Sequence, residues 1–252
     1  MNIDLTNCRV LVTGASRGIG RAIAEAMAQA GAQVAVHYYR EESALALAET
    51  LGGGAQAFRA DLGDARATTR LFQEVVTTFG RIDVLVNNAG VAVSAPLAEE
   101  EARWLDEWRF TQRINLEAVA LLCRRAVLHF AERPEGGRII NMASRAAFRG
   151  DTADYLAYAA SKGGVVALTR SLARAYGKQN IKAFTLAPGF VRTDMAQDFM
   201  DQYGEAFALN DIALPRLTEP QDIAPLAVLL ASGLADHATG STFDLNAGSY
   251  IR

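Results

Sequence analysis

The octapeptide "TGASRGIG" (Thr13–Gly20) stands between an apolar run, "CRVLVT" (8–13), and the helical-period stretch "RAIAEAMAQAG" (21–31). A β-rich run, a glycine turn and an amphipathic helix, in that order, form the opening unit of a nucleotide-binding α/β sheet. Gly14, Gly18 and Gly20 let the chain turn sharply and let a pyrophosphate reach the helix N-terminus, where unpaired N–H groups and the helix dipole favour an anion. Ser16, Arg17 and Ile19, between those glycines, are candidate nucleotide contacts. The same residues also satisfy G-x-S-x-G as "GASRG" (14–18), the turn that exposes a serine nucleophile in α/β-hydrolases, with Asp222 or Asp236 and His237 following in chain order as partners. Those enzymes take a second oxyanion-hole donor from an earlier loop. Here the turn follows the first strand and no such loop precedes it, so the nucleotide reading is preferred.

Outward from the turn, apolar β-rich runs alternate with helical patterns along the chain. The strand candidates are residues 8–13, 33–38, 55–60, 82–88, 138–143, 182–187 and 241–246; the helical stretches are 18–30, 41–51, 64–79, about 100–131, 154–178 and 219–232. Several runs are continuously apolar, which suits strands covered by helices on both faces. The expected fold is a single-domain α/β Rossmann-type, doubly wound, seven-stranded parallel sheet with helices on both faces, spanning 1–252. The long stretch without a clear strand, 188–218, opens on "PG" and carries Phe190, Met195, Phe199, Met200, Tyr203 and Phe207. It reads as a flap over a site, with an ordinary surface connection as the plain alternative.

Half of the 252 residues are hydrophobic and the net charge is −3, a balance with no general pull toward nucleic acid or an anionic membrane. A small or carrier-borne substrate is the expectation. The first residues lack a basic start followed by a sustained apolar run, and the apolar runs fall short of a membrane span, so a cytoplasmic location is expected. Cys8 and Cys123 have neither disulfide nor metal spacing, and His37, His129 and His237 lie far apart, so no protein-held metal is expected.

The end of the second strand reports on the ribose. An NAD site offers a carboxylate about 20 residues after the glycines, whereas a 2′-phosphate calls for arginine. In "VAVHYYREES" (34–43) Tyr38 stands where the acid belongs, Arg40 follows, and Arg17 sits within the turn. NADP(H) is therefore favoured over NAD(H), although Glu41 and Glu42 are close enough in sequence to offer a carboxylate instead. Asp61, followed by Leu62, suits the adenine amino group, or else caps the next helix. Asn88, Ala89 and Gly90 of "NNAG" (87–90) close the fourth strand with a turn suited to a ribose, or to turn geometry alone.

Tyr158 and Lys162 of "YAASKGG" (158–164) lie four residues apart on a predicted helix, so their Cβ atoms sit about 5–6 Å apart on one face. An ammonium near 4 Å offers about 4 kcal/mol at an effective dielectric near 20, enough to move a phenol by roughly 3 pKa units. Ser144, at the end of the fifth strand, is placed to bond a carbonyl beside the phenol. Ser161, inside the pair, reads only as a small residue for close helix packing. Asn115 is a polar residue in an apolar helix, holding a water behind Lys162 or bonding its own backbone.

"TGASRGIG", Asp61, "NNAG", Asn115, Ser144, Tyr158/Lys162 and "PGFVRT" (188–193) occur in one order, and in this the chain resembles the short-chain dehydrogenase/reductase superfamily over nearly its whole length, most like its 3-oxoacyl-carrier-protein reductase group. The resemblance implies carbonyl/alcohol interconversion with a pyridine nucleotide, and a homotetramer or homodimer. It implies Tyr158 as proton donor or acceptor, Lys162 on the nicotinamide ribose and lowering the tyrosine pKa, Ser144 orienting the carbonyl, and Asn115 supporting a proton relay. Pro188, Gly189, Val191 and Thr193 would line the nicotinamide, with Thr193 on its carboxamide. Two departures stand out: Ser144 and Tyr158 are separated by one residue more than is usual, and "DLNAGS" (244–249) replaces an Asp-Gly-Gly turn, with a subunit contact as the feature in question. A nucleotide-binding regulator on the same scaffold is the rival, and it has no need of the complete Ser144, Tyr158 and Lys162 set. Arg133, Arg174 and Lys178 are candidate contacts for an acidic carrier protein. Arg145 and Arg149 hint at a polar or anionic substrate, while the apolar flap hints the other way.

Overall fold

A computed structural model describes residues 3–194 and 204–252. Seven strands, β1 (Arg9–Val12), β2 (Gln33–Tyr38), β3 (Gln56–Arg59), β4 (Val84–Asn87), β5 (Gly137–Met142), β6 (Ile181–Pro188) and β7 (Thr242–Leu245), form one sheet in the order β3-β2-β1-β4-β5-β6-β7. Every pairing is parallel. The chain reverses its direction of winding between β1 and β4, and the crevice at the carboxyl ends of such strands is where ligands bind in open α/β sheets.

The continuous apolar runs are explained by two cores. Val10 and Val12 of β1, with Val34, Val36, Val84, Val86, Ile140 and Met142, face α1 (Gly18–Gln29), α2 (Ser43–Leu51) and, near the far end of the chain, Pro220–Ala231. Leu11, Ala35, Leu85, Ile139 and Ala183 face the opposite way, onto α3 (Ala65–Phe79), α5 (Ala118–Ala131) and α7 (Leu156–Tyr176). Each fully buried Val, Leu or Ile contributes about 1.5–3 kcal/mol. The remaining helices are α4 (Glu101–Gln112), the short α6 (Ala146–Arg149), α8 (Glu205–Asn210) and α9, the Pro220–Ala231 helix.

The helix expected over 100–131 is interrupted. Between α4 and α5 the backbone widens to a π-helical turn, Arg113–Glu117, centred on Asn115, a feature common at functional sites. Phe110, Leu128 and Leu156 remain exposed on α4, α5 and α7. Asp64, not Asp61, caps α3 by accepting from the Arg66 N–H at 2.8 Å. Arg133 is no free carrier contact: its guanidinium donates to Asp83 at 2.8 Å and to the Ile82 and Gly136 carbonyls. "DLNAGS" turns back on its own chain. Asn246 donates to the Tyr250 carbonyl and accepts from Gly248, and the Ala247 carbonyl accepts from Ala213.

Among the described residues no helix is long and apolar enough to cross a membrane, and no group of three His, Cys, Asp or Glu is placed to hold a metal. Both cysteines are free, and burial pushes each thiol up to about 12, so neither is a nucleophile near neutrality.

Candidate active site

At the carboxyl ends of the strands lies a cavity of about 1290 Å³, larger than the roughly 300–1,000 Å³ of an ordinary small-ligand site and wide enough for a dinucleotide together with a second molecule. The residues that the sequence assigns to a nucleotide and its chemistry all line it, apart from Gly20 and Asn115.

The glycine turn forms one end. Gly14 (φ 62°) and Gly18 (φ 55°) occupy the left-handed region, where a side chain is strained. A Cβ on Gly20 would collide with the Gly14 carbonyl and the Asn88 side chain, so the third glycine serves close packing rather than contact with a ligand. Asn88 locks the "NNAG" segment to this turn: its Nδ2 donates to the Thr13 and Gly14 carbonyls at 2.9 and 3.1 Å, and its backbone N–H donates to Thr13 Oγ1. Thr193 comes up against the same turn, its methyl 3.3 Å from where a Gly18 Cβ would stand. Asp61 accepts from the Gly63 N–H through Oδ1 at 2.8 Å and lines the cavity.

At the ribose end, Tyr38 is largely buried in the core with residues of α1 and α2 and lines the cavity. The Arg40 guanidinium stacks on Tyr39 at 5.1 Å. Arg17 pairs with Asp194 at 3.1 Å and Glu41 at 3.7 Å, all three side chains being more than half exposed. Such surface pairs are worth about 0–1 kcal/mol, which a phosphate dianion can displace.

The catalytic set forms the middle of the cavity. Tyr158 is half-buried and hydrogen-bonded to Ser144, so the separation longer by one residue leaves the pair intact. Ser144 Oγ also accepts from the Ala146 N–H. Lys162 is 4% exposed; its Nζ donates to the Met142 carbonyl at 2.9 Å and lies 5.7 Å from the centre of the Tyr158 ring. Burial pulls its pKa down to about 8.

The lowered tyrosine pKa expected from this neighbour is corrected by the protein alone. Burial raises the phenol above its usual value, the Ser144 hydrogen bond opposes that, and the charge of Asp151 adds to it. The Lys162 ammonium, bonded to the Met142 carbonyl and 5.7 Å from the ring centre, does not offset that burial.

Asn115 neither bonds its own helix nor reaches the cavity. Its Oδ1 accepts from the Val91 N–H at 2.8 Å; its Nδ2 donates to the Val91 carbonyl at 2.8 Å and to Ser161 Oγ at 3.1 Å. Ser161 in turn donates to the Tyr158 carbonyl at 2.7 Å. The serine read as a packing residue is thus one link of a chain that ties the loop after β4 to the catalytic turn of α7, and the π-helical turn aims Asn115 into it. Gly90 keeps this junction uncrowded: a Cβ would stand 3.2 and 3.3 Å from Asn115 Oδ1 and Lys162 Nζ.

His37 was not foreseen. It is 2% exposed on β2; Nδ1 accepts from the Gly14 N–H at 3.0 Å, which leaves Nε2–H to donate to the Ala60 carbonyl at 3.2 Å. It holds the glycine turn to the loop after β3. With both nitrogens on backbone groups it cannot serve Ser16 as a base, and His237 lies in the turn Asp236–Ala238, whose Asp236 pairs with Arg138 and Lys182 near the amino-terminal ends of β5 and β6, so the hydrolase reading has no histidine. Burial drops the His37 pKa to about 4. The unfolded chain takes up a proton near pH 6.5 and the folded chain does not until about 4, so stability is full above 6.5 and falls as pH drops toward 4. His37→Leu leaves the Gly14 N–H unpaired, at a cost of about 1–3 kcal/mol. The variant should melt earlier at neutral pH, bind NADPH more weakly in titration, and lose part of the acid-side decline; unchanged melting and binding would refute this role.

Of the expected flap, Phe190, Asn210 and Asp211 line the cavity, and a backbone bond from the Arg192 N–H to the Thr218 carbonyl closes the base of the segment. Met195, Phe199, Met200 and Tyr203, and the Phe207 side chain, lie outside the described residues.

The family described as "Enoyl-(Acyl carrier protein) reductase" matches residues 14–249. Among relatives by sequence, the 3-oxoacyl-[acyl-carrier-protein] reductase FabG of Vibrio harveyi is 36% identical over 241 residues, covering 96% of each chain. The 3beta-hydroxysteroid dehydrogenase 1 of Eggerthella lenta is 34% identical over 250 residues, covering 97% of this chain and 94% of the relative. A short chain dehydrogenase from Burkholderia cenocepacia J2315, solved in complex with NADP, matches with a TM-score of 0.89 at 33% identity, covering 97% of this chain and 98% of that one.

Proposed function

The chain belongs to the short-chain dehydrogenase/reductase superfamily and is an NAD(P)-dependent oxidoreductase; from that premise we propose that it interconverts a ketone and a secondary alcohol, with NADP(H) as the preferred nucleotide. The observation that carries the proposal is that Ser144, Tyr158 and Lys162 meet in the same cavity as the glycine turn. A nucleotide fits the residues present: Gly14 and Gly18 leave the turn bare of side chains, Asp61 and Asn88–Gly90 flank it, and no Cβ at Gly90 shields Lys162. Bound there, the nicotinamide would supply or accept the hydride.

The chain's own residues handle the oxygen and its proton. Ser144 Oγ–H donates to the carbonyl oxygen beside the phenol, and Tyr158 Oη–H gives its proton to that oxygen as negative charge develops. A phenol with a raised pKa is protonated at neutral pH, as the donor role requires. Lys162 sets a positive charge near the phenolate that remains. Asn115 and Ser161 keep Tyr158 and the loop after β4 in register, so that donor and acceptor meet within hydrogen-bond distance.

For the nucleotide preference, Arg17 and Arg40 are the groups that reach a 2′-phosphate. In the double variant Arg17→Ala/Arg40→Ala, the KM for NADPH should rise about ten- to hundredfold, from the loss of one or two charge-assisted contacts, while the KM for NADH stays within a few-fold. Steady-state assays by nicotinamide absorbance over a ketone panel read both. Equal loss for the two nucleotides, or a wild-type preference for NADH, would reverse the assignment. A 3-oxoacyl thioester is a second reading, favoured by the name of the Vibrio harveyi relative.

A further inference from the structure

Beside the catalytic set, the wall of the cavity carries two guanidinium groups. Arg145 follows Ser144 directly, and its backbone N–H donates to the Pro188 carbonyl at 2.9 Å, so its position is tied to that of the serine. Its side chain is 11% exposed and lies over the Phe190 ring at 4.6 Å, which restrains the plane of the guanidinium. Nη1 donates to Asp211 Oδ2 at 2.6 Å. A guanidinium has five N–H donors in a planar fork; among the described residues Asp211 takes one of them, and Arg145 lines the cavity.

Asp211 is fully engaged. Arg149 Nη1 donates to both of its oxygens, at 3.2 and 2.9 Å, and reaches the Ser249 carbonyl at 3.4 Å. The other carboxylate nearby, Asp151, accepts from the Thr152 N–H and feels both arginines at longer range than Asp211 does. Formal charges of the four groups balance, and among the described residues both oxygens of Asp211 accept from arginine, whereas Arg145 donates from its side chain only to Asp211. Asp211 already shows that a carboxylate fits against this guanidinium. Ser144 and Arg145 are consecutive and line the same cavity, so one substrate can engage the serine through its carbonyl and the fork through a carboxylate.

We propose that Arg145 sets substrate specificity by binding a carboxylate carried by the ketone substrate, with Asp211 as the internal carboxylate that shares the guanidinium until substrate arrives. The inference rests on the ketone/alcohol reading and narrows it to small oxo acids and the matching hydroxy acids.

The test uses the full-length protein with NADPH and compares acetoacetate and levulinate with their methyl esters, and with the uncharged N-acetylcysteamine thioester of acetoacetate. The wild type should favour each acid over its ester by about ten- to hundredfold in kcat/KM, the scale of one charge-assisted hydrogen-bonded contact. Arg145→Gln should cut that ratio about tenfold or more, Arg145→Lys should keep part of it because the charge remains and the fork does not, and Asp211→Asn should raise it by freeing the guanidinium. NADPH binding reports whether each variant is folded; if Arg145→Gln fails that check, the lysine and Asp211 variants decide. Turnover of esters or thioester at least as fast as of acids, or a ratio unmoved in Arg145→Gln, overturns the proposal and leaves the ketone reading standing. Absence of turnover with all of these ketones overturns that reading and this inference with it.

Discussion

Tyr158→Phe should lower kcat for ketone reduction by about 10²- to 10⁴-fold, the usual contribution of a positioned general acid, while NADPH still binds. The substitution removes one oxygen. The ring stays in its half-buried place, Ser161 still donates to the residue's carbonyl, and Lys162 keeps its bond to Met142. What disappears is the proton source beside Ser144. The residual rate belongs to Ser144 and to the geometry of binding, which need no phenol. Fluorescence titration of NADPH together with single-turnover hydride transfer separates the two quantities. Near-normal turnover in the variant would remove Tyr158 from the mechanism, and lost nucleotide binding would make its role structural.

Lys162→Met should move activity and stability in opposite directions. Activity falls about 10²- to 10³-fold, the cost of removing one preorganised charge next to developing negative charge. Stability at neutral pH rises. The lysine pKa is about 8 in the folded protein against about 10.4 unfolded, so the folded state holds fewer protons between those values and stability drops as pH falls from about 10.4 to about 8, staying low below that. Relieving that burial cost, less about 1 kcal/mol for the lost bond to the Met142 carbonyl, leaves a net gain of about 1–2 kcal/mol. In the wild type, kcat/KM for reduction should decline as pH rises through about 8, where the ammonium is lost. The variant should lack that limb. A variant that melts lower than wild type, or a wild-type profile flat through pH 8, would mean that the amine is not held as a buried cation. A residue that costs stability and is placed against the reacting atoms fits the common trade between stability and activity.

The strands were legible because each is an apolar run interrupted on both sides by helical periodicity, and a parallel sheet buried on two faces requires that composition. Val10, Leu11 and Val12 show why: consecutive side chains enter opposite cores, so no polar alternation survives. The glycine turn was legible because positive φ at Gly14 and Gly18 narrows the choice of residue at those positions. Tyr158 and Lys162 were legible as a pair because helical geometry puts residues four apart on one face.

Other features answer to partners distant in the chain. His37 reads as one more residue of an apolar strand until β1 and β3 bring Gly14 and Ala60 to its two nitrogens. Ser161 gains its role from Asn115, 46 positions away, and Arg145 from Asp211, 66 away. The sign of the tyrosine shift belongs here too. Four-residue spacing supplies the attraction of an ammonium, but the opposing cost of burial depends on how much water the surrounding elements exclude. Local periodicity and backbone conformation are written in neighbouring residues and can be read along the chain; desolvation and long-range hydrogen bonds exist only once the sheet has closed around them.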